Sequence, residues 1–290
     1  MIAQLYRIGL CLIAPITIAA ALLHVALGIA FAVLAFPWIG RAGRDASVLI
    51  WSRLLLSIVG VRLVSAGTPP SPGSGARPVG VGSLLLINHT SWLDVFSIAA
   101  VVPARFVAKA EIGRWPVFGW LAIVVGTLFV ERGRRHAVVR TNQAVARRLR
   151  SGQLIGVFPE GTTTDGSRLL PFHANLVQPA IDLGAPLRPV GVRFTQRGQF
   201  SQAAMFVGQM NLMQSLWRVA TAAHLTVQLH WLPALDPPPS NRHAAARVAR
   251  AAIAHALHIP LEQHDGLRDA VSADVDGEDS QPDTRSAPAS

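Results

Sequence analysis

An α/β domain behind an N-terminal membrane helix is the fold class this sequence predicts, and three observations carry it. Residues 8–39 hold no charged side chain and are dominated by Ala, Leu, Ile and Val. From Leu84 onward, short apolar runs alternate with stretches of helical spacing, the pattern of an α/β layer structure. The composition agrees: 51% of the 290 residues are hydrophobic and only 14% charged. An ordinary soluble domain carries about 25% charged residues, so part of this chain is expected to meet lipid.

Taken in order, the first element is the anchor. A helix over residues 16–36 would be about 30 Å long, enough to cross a bilayer, whereas a signal-peptide core runs about 7–15 residues. Pro15 and Pro37 bracket it, at positions tolerated near a helix start and end. A buried hairpin or an interfacial helix is the alternative reading. Arg7 stands alone before the segment, while Arg41, Arg44 and Arg53 follow it. The positive-inside rule then places the rest of the chain in the cytoplasm, at the inner membrane. Residues 46–65 form a second apolar stretch, spaced by Arg53 and Arg62, that reads as an amphipathic helix. GTPPSPGSGARPVGVGS, residues 67–83, reads as a linker or long loop.

Strands are expected at LLLIN (84–88), RFVAK (105–109), TLFVE (127–131), LIGVF (154–158), RPVGVRF (188–194) and LTVQLHWL (225–232). Helical spacing covers 92–101, 137–150 and 176–183. Net charge is +10, but residues 265–290 hold seven acids against two arginines, which leaves −5 there and +15 on the rest. That basic excess suits anionic headgroups, phosphorylated substrates or nucleic acid. Arg140, Arg147, Arg148 and Arg150 lack interleaved aromatics and any nucleic-acid motif, so they read as a solvated helix face, and no nucleic-acid partner is expected. The expected organisation is therefore an anchor at 1–40, an amphipathic helix and linker at 41–83, a folded domain at 84–264 and an acidic disordered tail at 265–290.

The chemistry-bearing residues begin at INHTSWLDVF, residues 87–96. Five positions along a helix turn about 500°, so His89 and Asp94 would sit about 140° apart on one helix. They can meet only if His89 precedes the helix. The strand-like LLLIN run allows this: Thr90 or Ser91 then caps the helix and Asp94 falls in its first turn. Ser91-Trp92-Leu93-Asp94 also resembles a capping box with Asp for Glu. On this segment alone the cap and the catalytic pair stand as equal readings, and they are compatible. A second candidate, FPEGTTTDG at 158–166, offers backbone N–H groups, hydroxyls and the Glu160 carboxylate in a small volume, or is an ordinary turn.

Together these segments resemble the glycerophospholipid acyltransferase family, whose best-known members act on 1-acylglycerol-3-phosphate. The first motif, N-H-x-x-x-x-D, is Asn88 to Asp94; the second, approximately G-x-x-F-[IV]-[DE]-R, is Gly126 to Arg132. The third, F-P-E-G-T-[RS], is Phe158 to Thr163, and the fourth, a strand around a proline, fits Leu187-Arg188-Pro189-Val190. The resemblance covers roughly residues 84–195 and implies a glycerol-3-phosphate acyltransferase-like domain with a central, mostly parallel or mixed sheet flanked by helices. It implies acyl transfer from an acyl-carrier-protein or coenzyme A thioester, as co-substrate rather than cofactor, to the sn-2 hydroxyl of a lysolipid in the membrane. His89 would be the base and Asp94 its orienter. Asn88, Arg132, Glu160, Gly161, Thr162 and Thr163 would bind substrate, Arg132 through paired donors to a phosphate. As the bland alternative, Arg132 with Arg134 and Arg135 makes a solvated basic turn.

One departure bears on the acceptor. Many lysophosphatidate-specific members have Arg after E-G-T, where this chain has Thr163. E-G-T-T-x-D-G followed by L-P-F looks like a branch that also includes lyso-ornithine lipid acyltransferases. Other chemistries lack their residues: there is no G-x-S-x-G elbow, Cys11 lies in the anchor, and the ten histidines are scattered, so neither an acyl-enzyme nor a metal site is expected. From a different class, a membrane-anchored basic binding protein remains the non-catalytic alternative.

Overall fold

The computed structural model describes residues 2–71, 80–115, 118–131, 135–236, 239 and 241–261. The expected acidic tail lies outside the described residues, as do residues 72–79 of the Pro/Gly linker. The first helix, α1, is longer than expected: it runs Ile2–Ala35, straight through Pro15. Within it, Gly9–Ala35 is long and apolar enough to cross a membrane, with a mean hydropathy of 2.5 and only 11% of the best window buried. A core helix of a soluble protein would be mostly buried, so its composition is not explained by packing.

Helix α2, Arg41–Ile58, folds back against α1. The contact is close because Gly28 has no side chain: a Cβ there would lie 2.3 Å from the Trp51 indole nitrogen. His24 stacks on Trp51 with ring centroids 4.8 Å apart. The expected helix at 46–65 is corrected here. It ends at Ile58, Gly60 turns the chain at φ +75°, and Arg62–Gly67 forms strand β1. The apolar pattern continues across the break, but β1 pairs in parallel with a strand far along the chain. The sheet therefore starts at Arg62, ahead of the expected boundary at Leu84.

The remaining strands are β2 (Leu84–Ile87), β3 (Ala104–Lys109), β4 (Leu128–Val130), β5 (Leu154–Val157), β6 (Leu187–Gln196), β7 (Gln199–Phe200) and β8 (Leu225–Trp231). All six expected strands are present. The sheet order is β1-β8-β6-β2-β5-β3-β4, with β7 paired to β6 at its side. Pairing is parallel from β6 to β4; β8 runs antiparallel to β6 and carries β1 with it.

Among the described residues the further helices are α3 (Leu93–Ala99), α4 (Phe118–Val124), α5 (Arg135–Arg150), α6 (Gln178–Leu183), α7 (Leu212–Ala220) and α8 (Arg242–Leu257), with a short 3₁₀ helix at Ala110–Arg114. Alternate residues of a strand point to opposite faces, and β2 shows how the two layers are built. Leu85 and Ile87 pack with Leu55 and Leu56 of α2, Ile98 of α3 and Leu216 of α7. Leu84 and Leu86 pack with Val145 and Leu149 of α5, Ala180 of α6 and Ala245 and Ala249 of α8. A strand covered on both faces needs a continuous apolar run, which is why LLLI is wholly buried.

Candidate active site

In open α/β sheets the crevice beyond the carboxyl ends of the strands is where ligands bind. Two of the sequence motifs leave neighbouring strands at that end: Asn88 follows β2, and Phe158 follows β5. The chain after β2 turns before α3 begins at Leu93, so His89 precedes the helix as helical geometry required. Its imidazole Nδ1 lies 2.9 Å from Asp94 Oδ2. Asp94 is fully buried, and Oδ2 also accepts the N–H groups of Thr90 at 2.8 Å and Ser91 at 2.9 Å. The Ser91 hydroxyl in turn accepts the Leu93 N–H at 3.2 Å. The expected cap by Thr90 or Ser91 is corrected here: the helix starts behind Trp92, which makes no side-chain capping bond, and only half of the capping box forms, the Asp94 carboxylate taking the Ser91 N–H. That half fixes the oxygen that faces the imidazole.

His89 is held from every other side. Its N–H donates to Glu160 Oε1 at 2.7 Å, and its carbonyl accepts the Thr164 N–H at 2.9 Å. Its ring stacks on Phe158 at 4.0 Å between centroids, and Phe158 stacks on Phe106 behind it. Nε2 has no hydrogen-bond partner among the described residues, and the side chain is 20% exposed. In the tautomer in which Asp94 accepts from Nδ1–H, Nε2 carries the lone pair.

Several residues expected among the substrate-binding set serve the scaffold instead. Asn88 is fully buried; its amide donates to the Val192 carbonyl at 3.0 Å and accepts the Val192 N–H at 2.7 Å. The side chain so extends the β2–β6 ladder past the end of β2 and is not available to a substrate. Glu160 is buried too, with Oε1 on His89 N–H and Oε2 on Leu170 N–H at 3.0 Å, so it ties the FPEGT loop to the catalytic histidine candidate. Thr163 donates its hydroxyl to the Phe206 carbonyl, and the Phe206 N–H reaches Thr90 O at 2.9 Å. Gly161 turns at φ +70° and its N–H goes to Phe158 O at 3.0 Å. Thr162 is exposed beside the site. Arg132 lies outside the described residues. Thr164 and Phe206 were missed from sequence; the threonine run hinted at the first, and nothing local marks the second.

Burial pushes the Glu160 carboxyl up to about 7, with Asp94 adding to the rise, against the pull of the two backbone N–H groups and of His89. Unfolded, it would titrate near 4.5. Between these values the folded chain keeps a proton that the unfolded chain has released, so stability falls as pH rises through the window and levels off above it. The loss is up to about 3 kcal/mol at ~1.4 kcal/mol per unit. Denaturation midpoints of wild type and Glu160→Gln in detergent check this: the wild-type advantage should shrink from pH 5 to pH 8, and a constant difference would rule the shift out.

Arg168 acts on Asp165, whose carboxyl is held below its ordinary range mainly by the Ser167 hydroxyl and N–H, with Arg168 adding to the effect.

Comparison with known proteins agrees with this geometry. The acyltransferase family model matches residues 73–193, from ahead of β2 to within β6. A 1-acyl-sn-glycerol-3-phosphate acyltransferase of Neisseria gonorrhoeae is 37% identical over 166 residues, 57% of this chain and 65% of that one; this chain thus spans somewhat less than two thirds of that relative. A lyso-ornithine lipid O-acyltransferase of Pseudomonas aeruginosa is 35% identical over 174 residues, 60% of this chain and 67% of that one. The crystal structure of the 1-acyl-sn-glycerophosphate acyltransferase PlsC from Thermotoga maritima has the same fold, with a TM-score of 0.59 at 18% identity over 90% of this chain and 99% of that one. With both halves of the histidine–carboxylate site inside the matched region, the chain belongs to the acyltransferase family.

Proposed function

We propose that the chain is a membrane-bound O-acyltransferase that moves a fatty acyl group from an acyl-carrier-protein or coenzyme A thioester to the sn-2 hydroxyl of 1-acylglycerol-3-phosphate, giving phosphatidic acid. The observation that carries this reading is the partly exposed His89 ring with Nδ1 held on a buried carboxylate. An alcohol is a weak nucleophile at neutral pH, so a positioned base must take its proton as the oxygen attacks. His89 Nε2 accepts that proton while the acceptor oxygen bonds to the thioester carbonyl carbon. Asp94 stabilises the imidazolium through Nδ1–H. The tetrahedral intermediate then expels the thiolate, which takes the proton back from Nε2. Because the Gly161 N–H is already used, the Thr162 and Thr163 amides, which have no partner among the described residues, are the donors in that turn for the developing oxyanion. Arg132 is assigned the acceptor's phosphate.

The long apolar helix α1 supports the membrane placement in this reading, and the arginines that follow it, by the positive-inside rule, support a cytoplasmic folded domain. A lyso-ornithine acceptor is the second reading, favoured by Thr163: its hydroxyl is bound internally, where a lysophosphatidate site would offer a cation. The full chain, in detergent with acyl-carrier-protein or coenzyme A thioester, should acylate lysophosphatidate at least tenfold faster than lyso-ornithine lipid. A reversed preference selects the second reading, and transfer to neither lipid by folded protein excludes both.

A further inference from the structure

A cleft of about 430 Å³ opens where α1 ends, and its walls are unusually cationic. Phe36 follows α1; Arg41 and Arg44 come from the first turn of α2, Arg105 from β3 and Arg148 from α5. Gly126, the first residue of the second motif, forms the floor at φ +84°. A Cβ there would meet Arg105 Nε at 3.2 Å and Arg148 Nη1 at 3.8 Å, so two guanidinium groups converge on one point. Among the described residues, the carboxylate that answers them is Asp45, paired to Arg105 and 4.0 Å from Arg41. Four cations against one anion leave a net positive cleft. The cost is visible at Arg148, whose pKa is lowered by burial and then by the charges of Arg105, Arg41 and Arg147.

The surroundings say which anion fits. Trp38 is 86% exposed just past α1, and aromatic and basic residues at the end of an apolar helix mark the headgroup layer of a bilayer. Arg44 packs its guanidinium 5.8 Å from the Phe36 ring centroid, spanning the apolar and charged sides of the cleft. Ile123 lines the cleft from α4 and is exposed, continuing an apolar rim where acyl chains would lie. The volume falls within the range of about 300–1,000 Å³ typical of small-ligand sites. Guanidinium groups match phosphate oxygens with paired donors.

We propose that this cleft binds the phosphate headgroup of an anionic membrane phospholipid, at a site separate from the acyl-transfer centre. The separation follows from topology. Arg105 is the second residue of β3, and Gly126 and Gln153 precede β4 and β5, whereas His89 follows the far end of the parallel strand β2. Strands of four to six residues span about 13–20 Å, so one lipid cannot serve both places with its headgroup. The bound lipid neutralises the guanidinium cluster and fixes the α1–α2 pair against the sheet. An acidic carrier protein docking here would deliver its thioester to the wrong end of the sheet. The inference rests on the membrane placement of α1 proposed above, and not on the identity of the acceptor.

Native mass spectrometry of the full chain in neutral detergent tests it, with dioleoyl-phosphatidylglycerol, dioleoyl-phosphatidylcholine and inorganic phosphate as probes. Phosphatidylglycerol should bind at least tenfold tighter than phosphatidylcholine. Arg44→Gln, an exposed change that gives up the Arg44 Nε bond to the Ile39 carbonyl, should weaken it about fivefold, the scale expected per basic group near an anionic surface. Arg148→Gln should weaken it at least as much, and Asp45→Asn should tighten it. Acyl transfer by Arg44→Gln in the same detergent should stay within about twofold of wild type, and His89→Ala should bind phosphatidylglycerol normally; these two readouts separate this site from the proposed activity. Equal binding of the two lipids, unchanged binding in Arg44→Gln, or displacement of phosphatidylglycerol by equimolar inorganic phosphate would overturn the proposal. So would loss of carrier-protein binding in Arg44→Gln with lipid binding intact.

Discussion

His89→Ala should lower kcat for acyl transfer by about 10²–10⁴-fold, the range that a positioned general base contributes. That corresponds to roughly 3–5 kcal/mol of transition-state stabilisation. The fold should survive, because the ring is partly exposed and the backbone bonds of His89 to Glu160 and Thr164 do not involve the side chain. Losing the stack on Phe158 and one hydrogen bond costs about 1–2 kcal/mol. The expected signature is a collapse of kcat with little change in the KM for lysolipid and a thermal midpoint a few degrees lower. Undiminished transfer by folded His89→Ala protein would sink the assignment of the base.

Asp94→Asn separates the two roles of the carboxylate. An asparagine oxygen at the Oδ2 position can still accept from Thr90, Ser91 and His89. Its NH₂ would face the Thr90 hydroxyl, which can accept. The cap and the tautomer are therefore kept while the negative charge that stabilises the imidazolium is lost. A drop in kcat of about 10²–10⁴-fold at nearly unchanged stability is expected. Full activity in this variant would mean that Asp94 acts only as a cap. Asp94→Ala is the less informative change: it strands buried N–H groups at a cost of about 3 kcal/mol or more.

The central strands were readable because burial on both faces demands unbroken apolar runs, as in LLLI and LIGV, each wholly buried. Strand β1 was not, since its apolar residues continue those of α2 and only pairing with β8 makes them a strand. Helices α7 and α8 also escaped notice. In α8 the buried face consists mainly of alanines such as Ala245, Ala246 and Ala249, which give a weak apolar period.

The condition for His89 and Asp94 to meet was legible in the sequence, because it depends on local geometry: a strand end, a turn and the first turn of a helix within a few residues. The roles of Asn88 and Glu160 were decided by the tertiary structure. Asn88 finds Val192 at a separation of 104 residues, and Glu160 finds His89 at a separation of 71. A polar side chain near a catalytic motif can hold a ligand or satisfy a buried backbone group, and its chemistry is the same in both cases. Which one it does is set by whether a non-local strand brings unpaired N–H and C=O groups within hydrogen-bonding reach.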